Sequence, residues 1–187
     1  MHGREEKMSD EVRRIGRELI HKGAIIEYYV DTMELPDGKH AKWDFINHNG
    51  AAAVVPVMAD GKILMVSQYR NALERYTLEI PAGGLNPGES ADTSVAAARE
   101  LEEETGYASK DLELLLSLHT TVAFCNEKID IYVAKNLVRT HQHLDEDEYL
   151  NVEAYTLTEL EEMVLSRKIQ DSKTIAALMA YKVKYGI

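Results

Sequence analysis

The chain of 187 residues is predicted to be an α/β protein, and three observations predict this class. Short apolar runs separated by turn residues, typical of strands, cover most of the N-terminal half. An Ala- and Glu-rich run at the centre has the composition of a helix, and two further helical patterns close the chain. The composition, with 45% hydrophobic and 28% charged residues, is that of a globular protein and excludes disordered and fibrous classes.

An antiparallel β-hairpin is predicted in the N-terminal region. An apolar run over residues 15–35 is followed by Pro36-Asp37-Gly38, a strong turn signal, and a second strand-like run covers residues 42–48. The composition does not shift sharply along the chain. We therefore expect one boundary near residue 48, between an N-terminal strand region of residues 1–47 and a domain of residues 48–187.

The rest of the chain alternates strands and helices. Apolar runs flank Asp60-Gly61, and because Asp-Gly between strands is typical of hairpins, a second hairpin is expected there. A helix is expected over residues 92–105, with Gly106 at its C-terminal end. Further strands are expected at 76–80, 112–118 and 128–134, and further helices at 158–166 and 172–185.

The charge balance restricts the class of partner. The chain has 32 Asp and Glu against 21 Lys and Arg, a formal net charge of −11, which argues against nonspecific binding to nucleic acid or an anionic membrane. It lacks an apolar run of the roughly 20 residues that a membrane span needs, and its charged N-terminus is unlike a signal peptide, so a cytoplasmic location is expected. The single cysteine, Cys125, is expected to be a packed loop or strand residue.

Three glutamates of the central helix share one face. Glu100, Glu103 and Glu104 are three and four residues apart, so a helix brings them together, whereas Glu102 points elsewhere. Carboxylates crowded in this way repel one another unless cations neutralise them. The pattern indicates either a solvated acidic face paired with Arg99 or a site for a divalent cation.

A glycine-rich segment before this helix completes a longer motif. Five residues separate Gly83 from Glu89, and the helix carries Arg-Glu-Leu-Glu-Glu-Glu-Thr-Gly-Tyr over residues 99–107. This arrangement resembles the Nudix box, the signature of hydrolases that cleave a nucleoside diphosphate linked to another moiety. The sequences SQYR at 67–70, LEIPAG at 78–83 and DSKTIAAL at 171–178 are similar to the ADP-ribose pyrophosphatase branch, and the similarity covers residues 15–185.

The chain departs from the family pattern at two places. Nine residues separate Glu89 from Arg99 where the family has seven, which indicates a two-residue insertion near Ser90 and leaves the position of Glu89 open. In the family this glutamate braces the arginine of the box or supports the metal site. Residues 120–124, which precede Glu127, are TTVAF where the ADP-ribose branch commonly has a Ser-Pro-Gly stretch.

The resemblance implies a fold and a reaction. The fold is a Nudix-type α/β/α sandwich with a mixed sheet, and the N-terminal hairpin is often exchanged between the subunits of a homodimer. The reaction is Mg²⁺-dependent hydrolysis of ADP-ribose to AMP and ribose 5-phosphate, with Mn²⁺ as the alternative cation. The missing proline favours an alternative, a GDP- or UDP-sugar pyrophosphatase, and a third interpretation is a sensor that binds ADP-ribose without cleaving it.

The resemblance also implies roles for individual residues. The metal ligands are the Ala82 carbonyl and the carboxylates of Glu100, Glu103, Glu104 and Glu148. Of the catalytic residues, Glu146 is the general base, with Asp145 and Asp147 as competitors, and Arg99 holds the box together. The substrate contacts are Arg70, Glu79 and Glu127. From the residues alone, surface salt bridges and a solvated acidic turn at 145–148 are the alternatives.

Overall fold

The structure is a computed structural model, and it describes residues 11–144 and 149–187. Within these residues the chain divides into two compact units. The first holds the residues up to Asn49 together with Thr121–Glu127, and the second holds Gly50–Thr120 and Lys128–Ile187. The boundary after Asn49 is close to the one expected from the sequence, whereas nothing in the sequence assigns the loop Thr121–Glu127 to the N-terminal unit.

The first unit contains an antiparallel sheet of three strands among its described residues. Strands β1 (Arg13–Lys22), β2 (Ile26–Glu34) and β3 (His40–His48) follow one another in the order β1-β2-β3. The predicted hairpin is present as β2 and β3, joined by a turn in which the Gly38 N–H donates to the Leu35 carbonyl at 2.9 Å. The run predicted as one apolar segment is in fact two strands, and β1 extends the hairpin into a sheet.

The second unit is built on two larger sheets within the described residues. Its strands are β4 (Ala51–Pro56), β5 (Ile63–Arg70), β6 (Arg75–Glu79), β7 (Ala82–Gly84), β8 (Tyr107–Ala108), β9 (Asp111–His119), β10 (Lys128–Lys135), β11 (Val138–Arg139) and β12 (Leu150–Tyr155). The four-stranded mixed sheet has the order β7-β4-β10-β9, in which β4 and β10 are parallel and the other pairs are antiparallel. The three-stranded sheet is antiparallel, with the order β12-β5-β6, and β8 pairs with β11.

The expected hairpin at Asp60-Gly61 is only partly correct. The turn forms, because the Gly61 N–H donates to the Met58 carbonyl at 2.9 Å and the Met58 N–H donates to the Lys62 carbonyl at 2.8 Å. Beyond a single bridge between Val57 and Ile63, however, β4 and β5 enter different sheets. Local turn chemistry predicts the reversal of the chain, but tertiary packing decides which strands pair.

Three helices lie in the described part of the chain, close to the predicted limits: α1 (Thr93–Thr105), α2 (Leu157–Leu165) and α3 (Ser172–Tyr185). The Asp92 side chain caps α1 by accepting from the Ser94 N–H, and Gly106 ends the helix in the left-handed conformation with φ 70°. Over the residues described, no helix has the length and apolarity to cross a membrane. The cytoplasmic location stays a prediction.

The core confirms the layered architecture. Strand β4 is buried on both faces, and its residues alternate between one large cluster and two smaller ones. Ala52 and Val54 pack in the clusters that contain Ala96, Ala97 and Leu101 of α1. The alternate residues, such as Ala53, pack in the cluster that contains Leu160 of α2 and Leu178 of α3. Burial of this face of α1 fixes the helix's rotation and therefore the position of its glutamates.

Candidate active site

The glycine-rich loop lies directly against α1. Strand β7 pairs with β4 through Ala82 and Gly83, and the Ala82 N–H donates to Glu104 Oε2 at 3.1 Å. A Cβ at Gly83 would overlap the carboxylate of Glu100. Any side chain at this position would therefore force the Glu100 carboxylate to move.

The three glutamates of α1 lie together, as the helical spacing predicts, but they differ in burial. Glu104 is 2% exposed and Glu100 is 8% exposed, whereas the Glu103 side chain is 38% exposed. Arg99 neutralises two of them, because its Nη1 donates to Glu100 Oε1 at 2.6 Å and to Glu103 Oε2 at 2.8 Å. Buried carboxylates need such partners, since desolvating an unpaired charge is costly.

Arg99 also connects the helix to the segment before it. Its Nε and Nη2 donate to the two oxygens of Glu89 at 3.1 and 3.2 Å, and Nη2 donates to the Gly84 carbonyl at 3.0 Å. A 3₁₀ turn lies at Glu89–Ala91 before Asp92, where the sequence indicates the two extra residues. The hydrogen bonds that Arg99 donates to Glu89, and then its interactions with Glu103 and Glu100, raise the pKa of Arg99 against the opposing effect of burial. The guanidinium is thus a permanently charged brace.

Two of the predicted substrate residues contact each other. Arg70 Nε donates to Glu79 Oε1 at 2.8 Å, and Arg70 Nη2 donates to Glu79 Oε2 at 2.7 Å. Glu79 is 3% exposed, whereas the Arg70 side chain is 39% exposed. Burial alone would raise the pKa of Glu79, but the interactions with Arg70, Lys173 and Thr77 outweigh burial and lower it to about 2.

Lys173, which the sequence analysis did not single out, belongs to the same cluster. Its Nζ forms an ion pair with Glu79 Oε2 and a second with Asp171 Oδ2 at 3.1 Å. Asp171 caps α3 by accepting from the Thr174 N–H at 2.9 Å. The sequence DSKT indicates the cap, but it does not indicate that the lysine is directed into the protein.

The segment that precedes the acidic residues 145–148 is attached to the C-terminal end of α1. The Gln142 side chain donates to the Glu104 carbonyl at 2.6 Å, and the His143 N–H donates to the Glu103 carbonyl at 3.0 Å. These bonds satisfy carbonyl groups that a helix end leaves without partners. The predicted base Glu146 and the predicted ligand Glu148 lie outside the described residues.

Glu127 lies in the first unit. Its carboxylate is 3.5 Å from His48 Nδ1, and its backbone N–H donates to Cys125 Sγ at 3.4 Å. The side chain is about a quarter exposed, at 24%. The predicted role of Glu127 in substrate binding stays a prediction.

The donor set of α1 fits a hard divalent cation, although the described residues by themselves form no ready-made metal site. Among residues 11–144 and 149–187, no group of three His, Cys, Asp or Glu side chains has an arrangement that could hold a metal ion. Arg99 binds Glu100 and Glu103 and so neutralises the charge that a cation would neutralise. Oxygen donors of this kind, in a cluster of three carboxylates, suit Mg²⁺ or Mn²⁺.

Comparison with known proteins identifies the family. A family profile described as the NUDIX domain matches residues 47–178. The chain belongs to the Nudix family. The predicted family and the prediction of a Nudix hydrolase are thereby confirmed, and the segment from Gly83 to Tyr107 is its Nudix box.

Relatives of this Nudix protein align along nearly the whole chain. It is 40% identical over 179 residues to an ADP-ribose pyrophosphatase of Bacillus subtilis strain 168, covering 95% of this chain and 96% of the relative. It is 42% identical over 179 residues, with the same coverage, to a methanol dehydrogenase activator of Bacillus methanolicus. The crystal structure of an ADP compounds hydrolase matches with a TM-score of 0.83 at 23% identity, covering 92% of both chains, which confirms the predicted Nudix fold.

Proposed function

We propose that the protein hydrolyses the pyrophosphate bond of ADP-ribose to AMP and ribose 5-phosphate and that Mg²⁺ is its cofactor. The Nudix box is the observation that supports this proposal, because Arg99 joins the glycine-rich loop, Glu89 and two glutamates of α1, Glu100 and Glu103, in one hydrogen-bonded unit. The name of the Bacillus subtilis relative, at 40% identity over 95% of this chain, supports ADP-ribose as the substrate.

The chemistry of a pyrophosphate explains the need for the acidic helix. The negative oxygens of a pyrophosphate repel a nucleophile. The site must therefore neutralise this charge, orient a water molecule and remove a proton from that water. A bound divalent cation supplies charge neutralisation and makes its water more acidic. The residues that would hold it are the Ala82 carbonyl and the carboxylates of Glu100, Glu103, Glu104 and Glu148.

Protein residues supply the remaining steps. Glu146 accepts the proton of the attacking water, and an ordinary carboxylate suffices once that water is acidified. Arg70 binds a phosphate oxygen of the substrate, a contact for which a guanidinium is well suited. Glu79 fixes the plane of that guanidinium through two hydrogen bonds, and Glu127 contributes a further substrate contact.

The sequence TTVAF at 120–124 favours an alternative, a pyrophosphatase for another nucleoside diphosphate sugar. The full chain should be incubated with Mg²⁺ and equal concentrations of ADP-ribose, a GDP-sugar and a UDP-sugar, and the products separated by chromatography. The proposal requires AMP from ADP-ribose at the highest rate. A GDP- or UDP-sugar cleaved faster would establish the alternative, and binding of ADP-ribose without turnover would establish a sensor.

A second candidate function is activation of a dehydrogenase. It is favoured by the name of the Bacillus methanolicus relative, which is 42% identical over 95% of this chain. Adding the protein to a methanol dehydrogenase assay tests this candidate. A matched addition of the Glu104→Gln variant then tells whether any activation depends on the Nudix box.

We also propose that the protein is a homodimer. Its two subunits exchange their N-terminal strand regions, residues 1–47, and residues 48–187 of each subunit form the Nudix domain. The support comes from β1, which is an edge strand of its sheet and keeps Ile15, Leu19 and Ile20 between 43% and 49% exposed. An unpaired edge with exposed apolar residues is a favourable surface for a second copy of the chain.

A further inference from the structure

We infer that Lys173 is a positioning residue, which acts through Glu79 to hold the Arg70 guanidinium in place for an anionic phosphate group. This inference deepens the proposed function and rests on it, because Arg70 is taken there as a phosphate ligand. Lys173 itself does not contact the phosphate.

The position of Lys173 is unfavourable for a lysine in two respects. The residue is 7% exposed, and burying an ammonium group is costly unless it is paired. It also lies in the first turn of α3, where the helix dipole disfavours a positive charge. Its ion pairs with Glu79 and Asp171 offset both costs, so the buried ammonium group is held between these two carboxylates.

The carboxylate of Glu79 is held from several sides. Oε1 accepts from Arg70 Nε at 2.8 Å and from the Thr77 hydroxyl at 2.5 Å. Oε2 accepts from Arg70 Nη2 at 2.7 Å and from the Lys173 ammonium. Because Thr77 and Lys173 each hold one oxygen, the carboxylate presents a fixed edge to Arg70.

The fixed edge determines which part of Arg70 faces the substrate. The two bonds to Glu79 use the Nε and Nη2 edge of the planar guanidinium, so its Nη1 group points away from Glu79. The Arg70 side chain is 39% exposed, although its partner is buried. The edge of the guanidinium that carries Nη1 is therefore presented at a surface that an anion can reach.

Lys173 also sets the charge of the cluster. Arg70 and Lys173 carry two positive charges, which balance the carboxylates of Glu79 and Asp171. Glu104 and Asp171 lie within electrostatic range of Arg70, since both contribute to raising its pKa after the larger effect of Glu79. Removing Lys173 would leave the charge of Glu79 only partly neutralised beside Arg70, and Glu79 would then oppose the binding of an anionic phosphate there.

The test is a double-mutant cycle that uses inorganic pyrophosphate as the probe. Its affinity for the full chain is measured by isothermal titration calorimetry with Mg²⁺ present. Lys173→Met should weaken binding by about tenfold in the wild-type background and by less than about twofold in the Glu79→Gln background, since coupled residues in one network deviate from additivity by this order. The matched control is Lys182→Met on the same helix, where Lys182 pairs with Glu161 at 2.7 Å, and it should leave the affinity unchanged.

Three results would overturn the inference: wild-type protein that does not bind pyrophosphate, wild-type affinity in Lys173→Met, or an equal loss in both backgrounds. Thermal unfolding establishes that each variant is folded, and Lys173→Gln replaces Lys173→Met if the latter is not. If neither variant folds, Lys173 is needed only for folding and the inference is wrong. ADP-ribose turnover by the same wild-type sample is measured in parallel, and its absence alongside an intact cycle would contradict only the proposed function.

Discussion

Arg99 and Glu89 form two hydrogen bonds, at 3.1 and 3.2 Å, although nine residues separate them where the Nudix pattern has seven. A 3₁₀ turn at Glu89–Ala91 lies just before the helix begins, where the insertion is predicted. With these two hydrogen bonds Glu89 braces the arginine in spite of the longer spacing. Since the same guanidinium binds Glu100 and Glu103, a change at Arg99 should affect both the loop and the carboxylates.

Replacing Arg99 with Met should make the protein less stable without metal and more responsive to Mg²⁺. The variant loses the cation that neutralises Glu89, Glu100 and Glu103, and we expect about 2 kcal/mol of lost stability, a value reduced for partial exposure. Thermal unfolding with and without Mg²⁺ measures both effects. The exposed Arg139→Met serves as the control, and an equal shift by Mg²⁺ in the Arg99 variant and in wild type would count against the role of Arg99.

Replacing Glu104 with Gln should abolish hydrolysis while leaving the fold intact. We expect a loss of at least about 100-fold in kcat, because the carboxylate would hold the metal that stabilises the developing charge. The matched control is Glu102→Gln, two residues away in the same helix but on another face. Its kcat should stay within about threefold of the wild-type value. Full turnover by the Glu104 variant at saturating Mg²⁺, or wild-type turnover in excess chelator, would refute the metal assignment.

The helix that carries the box could be predicted because its signals are local. Asp92 at the N-cap, the Ala-rich run and Gly106 at the C-cap give α1 its limits. The spacing of Glu100, Glu103 and Glu104 on one face follows from helical geometry alone. No tertiary information is needed for either.

The rest of the site depends on tertiary packing, which the sequence does not display. The divergence of β4 and β5 into two sheets follows from packing and not from the Asp60-Gly61 turn. The cluster of Arg70, Glu79 and Lys173 joins β5, β6 and α3, and Lys173 lies 94 positions after Glu79 in the sequence. Lysine is disfavoured both in a buried position and in the first turn of a helix. The sequence therefore does not predict a buried Lys173, and only the folded structure shows it.

Stability at acidic pH should depend on Glu79. Its pKa is about 2 in the folded protein against an ordinary value of 4.5, so its ionised form stabilises the fold above pH 4.5, and this stabilisation is lost as the pH falls toward 2. The loss amounts to roughly 3 kcal/mol across that window. Urea unfolding at a series of pH values should therefore give a shallower acid dependence for Glu79→Gln than for wild type. The exposed Glu162→Gln should keep the wild-type dependence, and identical slopes for all three proteins would contradict the role of Glu79.

Substitutions of Glu146 and Glu148 should change different kinetic properties, the turnover rate and the Mg²⁺ requirement respectively. Glu146→Gln should lower kcat by about 10²- to 10⁴-fold with little change in the Mg²⁺ requirement, because a general base acts mainly in the transition state. Glu148→Gln should instead raise the Mg²⁺ concentration needed and be partly rescued by more cation. Steady-state rates over a Mg²⁺ titration separate the two. Wild-type rates for Glu146→Gln with ADP-ribose and with GDP- and UDP-sugars would place the base elsewhere, and Glu127 would be tested next.

The oligomeric state tests the exchange of N-terminal strands. The intact protein should elute as a dimer in size-exclusion chromatography with light scattering at micromolar concentration. Removing residues 1–47 should give a monomer with impaired substrate binding, because the exposed apolar residues of β1 are lost with the sheet. Changing Leu19 and Ile20 to Ser in the full chain is a milder variant with the same expected shift. An intact protein that elutes as a monomer would show the dimer proposal to be wrong.

Mass spectrometry of the products formed from ADP-ribose in ¹⁸O-labelled water is the most direct test of the proposed reaction. With Mg²⁺ and the full chain, we expect AMP and ribose 5-phosphate in equal amounts, with one ¹⁸O atom per cleavage in a phosphate group of one product. This result requires attack of water on the pyrophosphate. Intact ADP-ribose after prolonged incubation, or products from cleavage at any other bond, would contradict it.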